Sequence, residues 1–281
     1  MTRCRSSLVG SLSLAAVLGI GACSDPALDA EPVSTTASTA PASTTSGSTT
    51  SKAPEQLVID LVTLGDSFVA WAEWPEMLAA DLAAARDVEI VLDDSLAAPA
   101  VRARYEPDFL RNDPAAIDLV ANAEVLILEP RPFMAPPAMS AFMSETCGGP
   151  TNSDCLAAAV VEMRAYVDDY LGLVVDIAPG DSEVVVVLVG SWPIDGAYPD
   201  LRATDPEKHE VLATFMLDLM RQTAESAIEH GIAVVDVGAI FNGPEYLDMA
   251  LPELLGGDRI HLSEAGSRVV ADAVAASLAA A

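Results

Sequence analysis

Five short apolar runs, each followed by a longer stretch with helical periodicity, decide which folds this chain can adopt. The run from Glu183 to Val189 is rich in valine, which is typical of a strand buried on both faces of a parallel sheet. The sequence therefore predicts a three-layer α/β/α fold around a five-stranded parallel sheet. The other strands are expected over residues 57–64, 88–92, 124–128 and 232–237. Helices are expected over residues 75–85, 113–122, 155–177, 206–230 and 263–280.

The first 22 residues have the pattern of an export signal. Arg3 and Arg5 give a positive start, and an apolar stretch of about thirteen residues follows from Leu8 to Ile20, which is too short to span a bilayer. Residues 1–22 are therefore predicted to be a signal peptide that is removed from the mature chain.

The end of this segment, Ile20-Gly21-Ala22-Cys23, resembles the bacterial lipobox. The resemblance implies that Cys23 becomes the lipidated first residue of a lipoprotein, anchored at the outer face of the bacterial cell membrane. The alternative is an ordinary export signal that is cleaved nearby, with Cys23 incidental. Residues 23–54 are rich in Ser, Thr, Ala and Pro and are expected to form a flexible tether, which leaves residues 55–281 as the folded domain.

Two cysteines, Cys147 and Cys155, lie inside the predicted domain. In an exported protein, a disulfide across the seven residues between them is the expected state. A metal site with two cysteine ligands is the alternative, and it lacks nearby histidines. The sequence indicates no metal site and no cofactor.

The formal net charge of −28 limits the partners of this chain. Nucleic acid is excluded as an expected partner, because its phosphates would be repelled. A monomer is expected, with contact to the membrane through the lipid anchor.

Two short motifs bracket the domain: Leu64-Gly65-Asp66-Ser67 near its start and Asp258-Arg259-Ile260-His261 near its end. Ser67 follows the first predicted strand, and the carboxyl ends of parallel strands are where ligands bind in open α/β sheets. A serine hydroxyl needs a neighbouring base, and that base needs an acceptor that holds its tautomer.

His261 is the candidate base by elimination among three histidines. His209 lies in a charged first helical turn that is expected to be solvated, and His230 ends a predicted helix. Asp258 is expected to orient His261, and Asp236 after the fifth strand is a rival for that role. Asp66 is expected to brace the turn.

Gly65-Asp66-Ser67 and the later pattern Asp258-x-x-His261-Leu262-Ser263-x-x-Gly266 resemble the SGNH (GDSL-type) hydrolases over residues 57–280. That family implies a flavodoxin-like SGNH hydrolase fold. It also implies a nucleophilic Ser67, with His261 as general base and Asp258 as its partner. The implied activity is a serine esterase that hydrolyses acyl or acetyl esters at the cell envelope. Its substrates would be acyl lipids or acetylated sugars.

The sequence departs from the family pattern where oxyanion donors are usual. No Gly follows the second strand, and the third strand runs into Glu129-Pro130-Arg131-Pro132 in place of Gly-x-Asn-Asp. The Ser67 N–H is one candidate donor, and Arg131, at or next to the position of the missing Asn, is another. The alternative for Arg131 is an ion pair with an acid such as Glu129 or Asp94.

Two other functions remain open. A non-catalytic envelope lipoprotein could keep the fold and bind a glycan or a protein, and an acyltransferase would use the same three residues. Trp71, Trp74 and Trp192 follow predicted strands, and each could line a substrate pocket or pack in the core.

Overall fold

A computed structural model describes residues 57–97 and 106–280 of the 281-residue chain. The predicted signal peptide, the Cys23 lipidation site and the predicted tether lie outside the described residues. Both motifs, residues 64–67 and 258–261, lie within the described ranges.

The sheet has five parallel strands in the order β2-β1-β3-β4-β5. The predicted fold class, a three-layer α/β/α arrangement, is confirmed, and each predicted strand lies within one residue of its expected bounds. The strands are β1 Val58–Leu64, β2 Glu89–Asp93, β3 Val125–Leu128, β4 Glu183–Leu188 and β5 Ala233–Asp236.

The five predicted helices are also present, each within two residues of its expected bounds. They are α2 Trp74–Arg86, α4 Pro114–Asn122, α6 Asp154–Ile177, α9 Pro206–Glu229 and α11 Glu264–Leu278. Shorter helices were not predicted: α1 Ser67–Ala70, α3 Glu106–Asn112, α5 Ala135–Met143, α7 Trp192–Ala197, α8 Leu201–Thr204 and α10 Val237–Asn242. A 3₁₀ turn covers Pro252–Leu254.

Each face of the sheet is covered by its own core. In β3, Leu126 and Leu128 pack among residues of α5, α6 and α9, whereas Val125 and Ile127 pack among residues of α2 and α11. Successive side chains of a strand point to opposite faces, so an unbroken apolar run is what a strand covered on both sides requires. Within the described ranges, no helix is both long enough and apolar enough to cross a membrane.

All five strands end at one edge of the sheet, and this edge carries the residues singled out above. Leu64 is paired with Leu128, and Leu128 is paired with Val186. The segments that follow β1 and β3 therefore leave the sheet side by side, which brings Ser67 close to Glu129 and Arg131.

The predicted disulfide is present between Cys147 and Cys155. It connects the loop after α5 to the first turn of α6. In the same loop, the Asn152 side chain accepts a hydrogen bond from the Cys147 N–H at 2.9 Å and donates one to the Phe142 carbonyl at 2.8 Å. The loop between α5 and α6 is thus held both covalently and by hydrogen bonds.

Candidate active site

The serine turn, residues 64–70, places Ser67 at the first position of α1. Asp66 is the N-cap of this short helix, and its Oδ1 accepts the Phe68 N–H at 2.7 Å. The first N–H groups of a helix have no acceptor within the helix itself. The Ser67 N–H is therefore available to a ligand beside the hydroxyl.

Two residues from the end of β3 brace the serine turn. The Glu129 carboxylate, which is buried, accepts the Asp66 N–H at 3.0 Å, and Arg131 Nη1 lies 2.6 Å from Asp66 Oδ2. Asp66 is thereby held through its backbone and through both carboxylate oxygens. Its expected role in bracing the turn agrees with these contacts. Arg131 thus forms an ion pair with a nearby acid, and the partner is Asp66, which was not one of the two examples considered from the sequence, Glu129 and Asp94.

The histidine loop, residues 256–263, is folded around one carboxylate. Asp258 Oδ1 accepts the Ile260 N–H at 2.9 Å and the His261 N–H at 3.0 Å, while Oδ2 lies 2.6 Å from His261 Nδ1. On the other side of the ring, His261 Nε2 lies 3.1 Å from Ser67 Oγ. The structure therefore brings Ser67, His261 and Asp258 together in a continuous chain of hydrogen-bonding distances.

These bonds favour the charged form of Asp258. The backbone N–H groups of His261 and then Ile260, followed by the imidazole, lower the pKa of Asp258 to about 2. An ionised carboxylate accepts a hydrogen bond from a protonated Nδ1, which leaves the Nε2 lone pair directed at the serine hydroxyl. The geometry thus fits the tautomer that a general base requires.

The three tryptophans divide between packing and the site. Trp74 and Trp192 are fully buried, and Trp71 is 61% exposed with its ring centroid 4.9 Å from that of His261. Trp192 also donates from Nε1 to the Ile260 carbonyl at 3.0 Å, so this core side chain anchors the histidine loop. Trp74 donates from Nε1 to the Phe68 carbonyl at 2.9 Å and stabilises the serine turn from the core.

The rival orienter, Asp236, is engaged elsewhere. Its Oδ1 accepts the Ala239 N–H and the Tyr246 hydroxyl, each at 2.7 Å. Asp236 is therefore the N-cap of α10.

One prediction about the other histidines is wrong. His209 is buried, not solvated, with Nε2 3.0 Å from Asp195 Oδ1, because the first turn of α9 packs beneath α7. Arg202 pairs with the same carboxylate. His230 is the C-cap of α9, as predicted.

A cavity of about 250 Å³ opens beside Ser67 and His261. Asp66, Glu129 and Arg131 line it together with the two motif residues. The rest of its wall is mostly apolar and comes from α5, α7, α9 and the segments next to them: Phe68, Pro132, Ala135, Pro136, Met139, Val189, Trp192, Pro193, Ala197, Tyr198, Met216 and Ile260. In the part of the chain that the structure describes, no group of three or more His, Cys, Asp or Glu side chains is placed to hold a metal ion.

The two candidate oxyanion donors lie at this cavity, although they differ in availability. The Ser67 N–H is free of the helix, whereas Arg131 is partly engaged by Asp66. Ala97, after β2, forms a parallel bridge with Gly65 and so approaches the serine turn. Residues 98–105, which follow it, lie outside the described residues.

Three contributors to the site were missed from the sequence. Glu129 was considered from the sequence only as an ion-pair partner of Arg131, but it follows a fully buried strand, and a carboxylate there has to meet a donor. The pairing of Asp66 with Arg131 and the contact of Trp71 with His261 join residues far apart in the chain. The only signal in the sequence was that each of these four residues follows a predicted strand or belongs to a motif.

Comparison with known proteins identifies solved structures that share this fold. No family model matches the sequence, and no curated protein matches it. Several solved structures match by shape over 76–80% of this chain. The lipase Lip_vut3 from a goat rumen metagenome superposes with a TM-score of 0.61 at 16% identity, over 78% of this chain and 97% of the lipase.

Two further neighbours are a phospholipase A1 from Streptomyces albidoflavus and an acetyl-xylooligosaccharide esterase from Geobacillus. The phospholipase has a TM-score of 0.54 at 16% identity, over 78% of this chain and 98% of its own. The esterase has a TM-score of 0.51 at 17% identity, over 78% and 94%. The chain therefore has the α/β fold of these lipases and esterases.

Proposed function

We propose that this protein is a serine hydrolase of the SGNH (GDSL-type) family that cleaves carboxylic esters. The observation that carries the proposal is the chain of contacts from Asp258 Oδ2 through His261 to Ser67 Oγ, at 2.6 Å and 3.1 Å. Ser67 and His261 also line the cavity of about 250 Å³. The fold shared with lipases and esterases supports the same reading, because in open α/β sheets this edge holds the ligand.

The reaction begins when His261 Nε2 takes the Ser67 hydroxyl proton as Oγ attacks the ester carbonyl carbon. Asp258 holds the imidazole by its Nδ1 proton and stabilises the imidazolium that forms. The tetrahedral oxyanion collapses, and His261 donates the proton to the departing alcohol oxygen. Water, deprotonated in turn by His261, then attacks the acyl carbon, the bond to Ser67 Oγ breaks, and His261 returns the proton to Oγ as the carboxylic acid leaves.

The oxyanion needs donors, and the Ser67 N–H is the first of them. We propose Arg131 as the second, with Asp66 holding its guanidinium beside the serine turn. A guanidinium has five N–H donors, so the contact with Asp66 leaves others for the substrate oxygen. The same contact lowers the net charge of the site, which makes Arg131 a weaker donor than an unpaired cation would be.

A place at the outer face of the cell membrane is part of the proposal. Its support is the sequence alone: the apolar segment from Leu8 to Ile20 and Cys23 at the position that the lipobox requires. The full chain should partition into detergent in a two-phase extraction when expressed in a bacterium. A Cys23→Ser chain should stay in the aqueous phase, and equal partition of both would overturn the anchor.

The test of the activity is hydrolysis of p-nitrophenyl esters by purified residues 55–281 and by Ser67→Ala. Loss of the nucleophile costs about 10⁶-fold in kcat in a well-studied serine protease, so activity should fall to background. Ser140→Ala, an exposed serine of α5, is the matched control and should keep the wild-type rate. Equal rates in the wild type and Ser67→Ala would favour the non-catalytic binding protein.

Arg131 has its own test. Removal of one oxyanion donor lowers kcat by about 10²–10³-fold, so Arg131→Ala should lose that amount with little change in KM. Arg86→Ala, which removes an ion pair with Glu183 far from Ser67, is the control and should keep kcat. An unchanged kcat in Arg131→Ala would leave Arg131 with the ion pair as its only role.

A further inference from the structure

The cavity beside Ser67 is apolar over most of its wall, and its polar groups gather at the Ser67 end. Asp66 follows β1, and Glu129 and Arg131, which follow β3, both contact it at the serine turn. The part of the wall built by α5 and α9 carries Ala135, Met139 and Met216.

We propose that this cavity is an acyl pocket that selects medium chains, of about six to eight carbons, as the acid part of the ester. The proposal rests on the proposed ester hydrolase and names its substrate class. Met139 and Met216 are the residues assigned to setting the chain length.

The chemistry of the α5 and α9 wall favours an alkyl chain over a sugar as the occupant. A sugar ring presents hydroxyl groups on every side, and each one needs a partner when it leaves water. Met139, Met216 and Ala135 offer none, and all three are more than nine-tenths buried. An alkyl chain loses no hydrogen bond on entering such a space and gains from leaving water.

The size of the cavity sets the chain length. A dry cavity of about 150 Å³ holds benzene, which has six carbons, so about 250 Å³ holds roughly ten non-hydrogen atoms. Part of that space, next to Ser67 and His261, has to hold the ester group itself. About six to eight acyl carbons then fill the remainder, while acetyl leaves it empty and a long fatty acyl chain exceeds it.

Two methionines from different helices line the wall. Met139 comes from α5 and Met216 from α9, and both belong to the core on that face of the sheet. The thioether side chain is flexible and fills irregular gaps, so these two residues can adjust to a chain slightly shorter or longer than the optimum. Substitution of either should change the preferred length without moving Ser67.

The experiment is a chain-length series of p-nitrophenyl esters, from acetate to palmitate, with residues 55–281. Each buried methylene should raise kcat/KM about fourfold, giving a rise on the order of 10²-fold from acetate to hexanoate and a decline beyond octanoate. Met216→Ala should move the optimum two to three carbons longer. Met220→Ala, which removes the same atoms from a buried position of α9 that does not line the cavity, should leave the profile unchanged.

Ala135→Val is the second variant, and it should move the optimum to shorter chains by filling part of the cavity. A Ser67-dependent activity with a flat profile, or the same profile in Met216→Ala and Met220→Ala, would overturn the acyl pocket and leave the esterase standing.

A binding measurement separates the two proposals if no ester is hydrolysed. Sodium octanoate should raise the melting temperature of Ser67→Ala, acetate at equal concentration should not, and Ala135→Val should reduce the octanoate effect. That result without turnover would retain the pocket and reject the esterase. Equal shifts of the melting temperature with octanoate and acetate would overturn the proposed acyl pocket.

Discussion

The serine turn and the histidine loop meet at one hydrogen-bonding distance, yet they are held in place in opposite ways. The serine turn lies on the core: Gly65, Asp66 and Phe68 are buried, and Glu129 and Arg131 reach it from another strand. The histidine loop is largely exposed and is organised by bonds between neighbours in sequence, above all those to Asp258.

Because of this difference, the serine turn should contribute more to stability, and the histidine loop should mainly determine the orientation of His261. A change in the serine turn disturbs the end of the sheet and its core, so it should lower the free energy of unfolding together with activity. A change in the histidine loop disturbs mainly the orientation of one imidazole, so it should lower activity alone. The loop has one deeper anchor, the Trp192 indole that donates to the Ile260 carbonyl.

The largest expected effect comes from Asp258→Asn in the histidine loop. The amide can still accept the two backbone N–H groups, but it no longer favours the Nδ1–H tautomer of His261. In a serine protease the corresponding change costs about 10⁴-fold in kcat, and a similar loss is expected here. The free energy of unfolding, measured by urea titration, should change by less than about 1 kcal/mol, because the side chain is half exposed.

Asp236→Asn is the matched control for that prediction. Asp236 caps α10 and accepts the Tyr246 hydroxyl, so this variant should lose stability while kcat falls by less than about tenfold. If Asp236→Asn lost as much activity as Asp258→Asn, the assignment of the orienting carboxylate would be wrong.

The next largest effect compares a glycine from each region. A Cβ at Gly65 would lie 2.5 Å from Val69 Cγ2 and 2.9 Å from Glu129 Oε2, whereas a Cβ at Gly257 would meet no atom within 4 Å. Gly65→Ala should therefore cost about 1–3 kcal/mol in the free energy of unfolding and displace Ser67. Gly257→Ala should be nearly neutral. Equal urea midpoints for the two variants would contradict the view that the serine turn depends on core packing and the histidine loop does not.

The smallest effect is a dependence of stability on pH that comes from Asp258. Its pKa is lowered to about 2 in the folded protein, below the ordinary 3.8, so its stabilising contribution is complete above about pH 4. That contribution is lost as the pH falls to about 2. The difference in unfolding free energy between wild type and Asp258→Asn should shrink over this range, by at most about 1 kcal/mol at such an exposed site. A difference that stays constant from pH 6 to pH 2 would contradict the shift.

The sheet could be predicted from the sequence because the core imposes its pattern directly. The run from Val184 to Val189 is apolar at every position, as a strand with helices on both faces requires, and β4 follows it closely. The histidine loop was also predictable, since Asp258 and His261 are three residues apart and their contact is local.

Contacts between distant segments could not be predicted in the same way. That Arg131 pairs with Asp66 follows from the register of β1 with β3, which sets the loops after those strands side by side. His209 shows the reverse error, because a charged sequence around it concealed a position that the packing of α7 on α9 buries. The short helix α5, which supplies part of the cavity wall, had no periodic signal that marked it as a helix.

The tilted ring contact between Trp71 and His261 gives the protein an optical reporter of its own. Of the three tryptophans in the chain, Trp74 and Trp192 are fully buried, whereas Trp71 is 61% exposed beside His261. With the ring centroids 4.9 Å apart, the emission of Trp71 should change when the imidazole moves, without any added label, and the signal should vanish in His261→Gln.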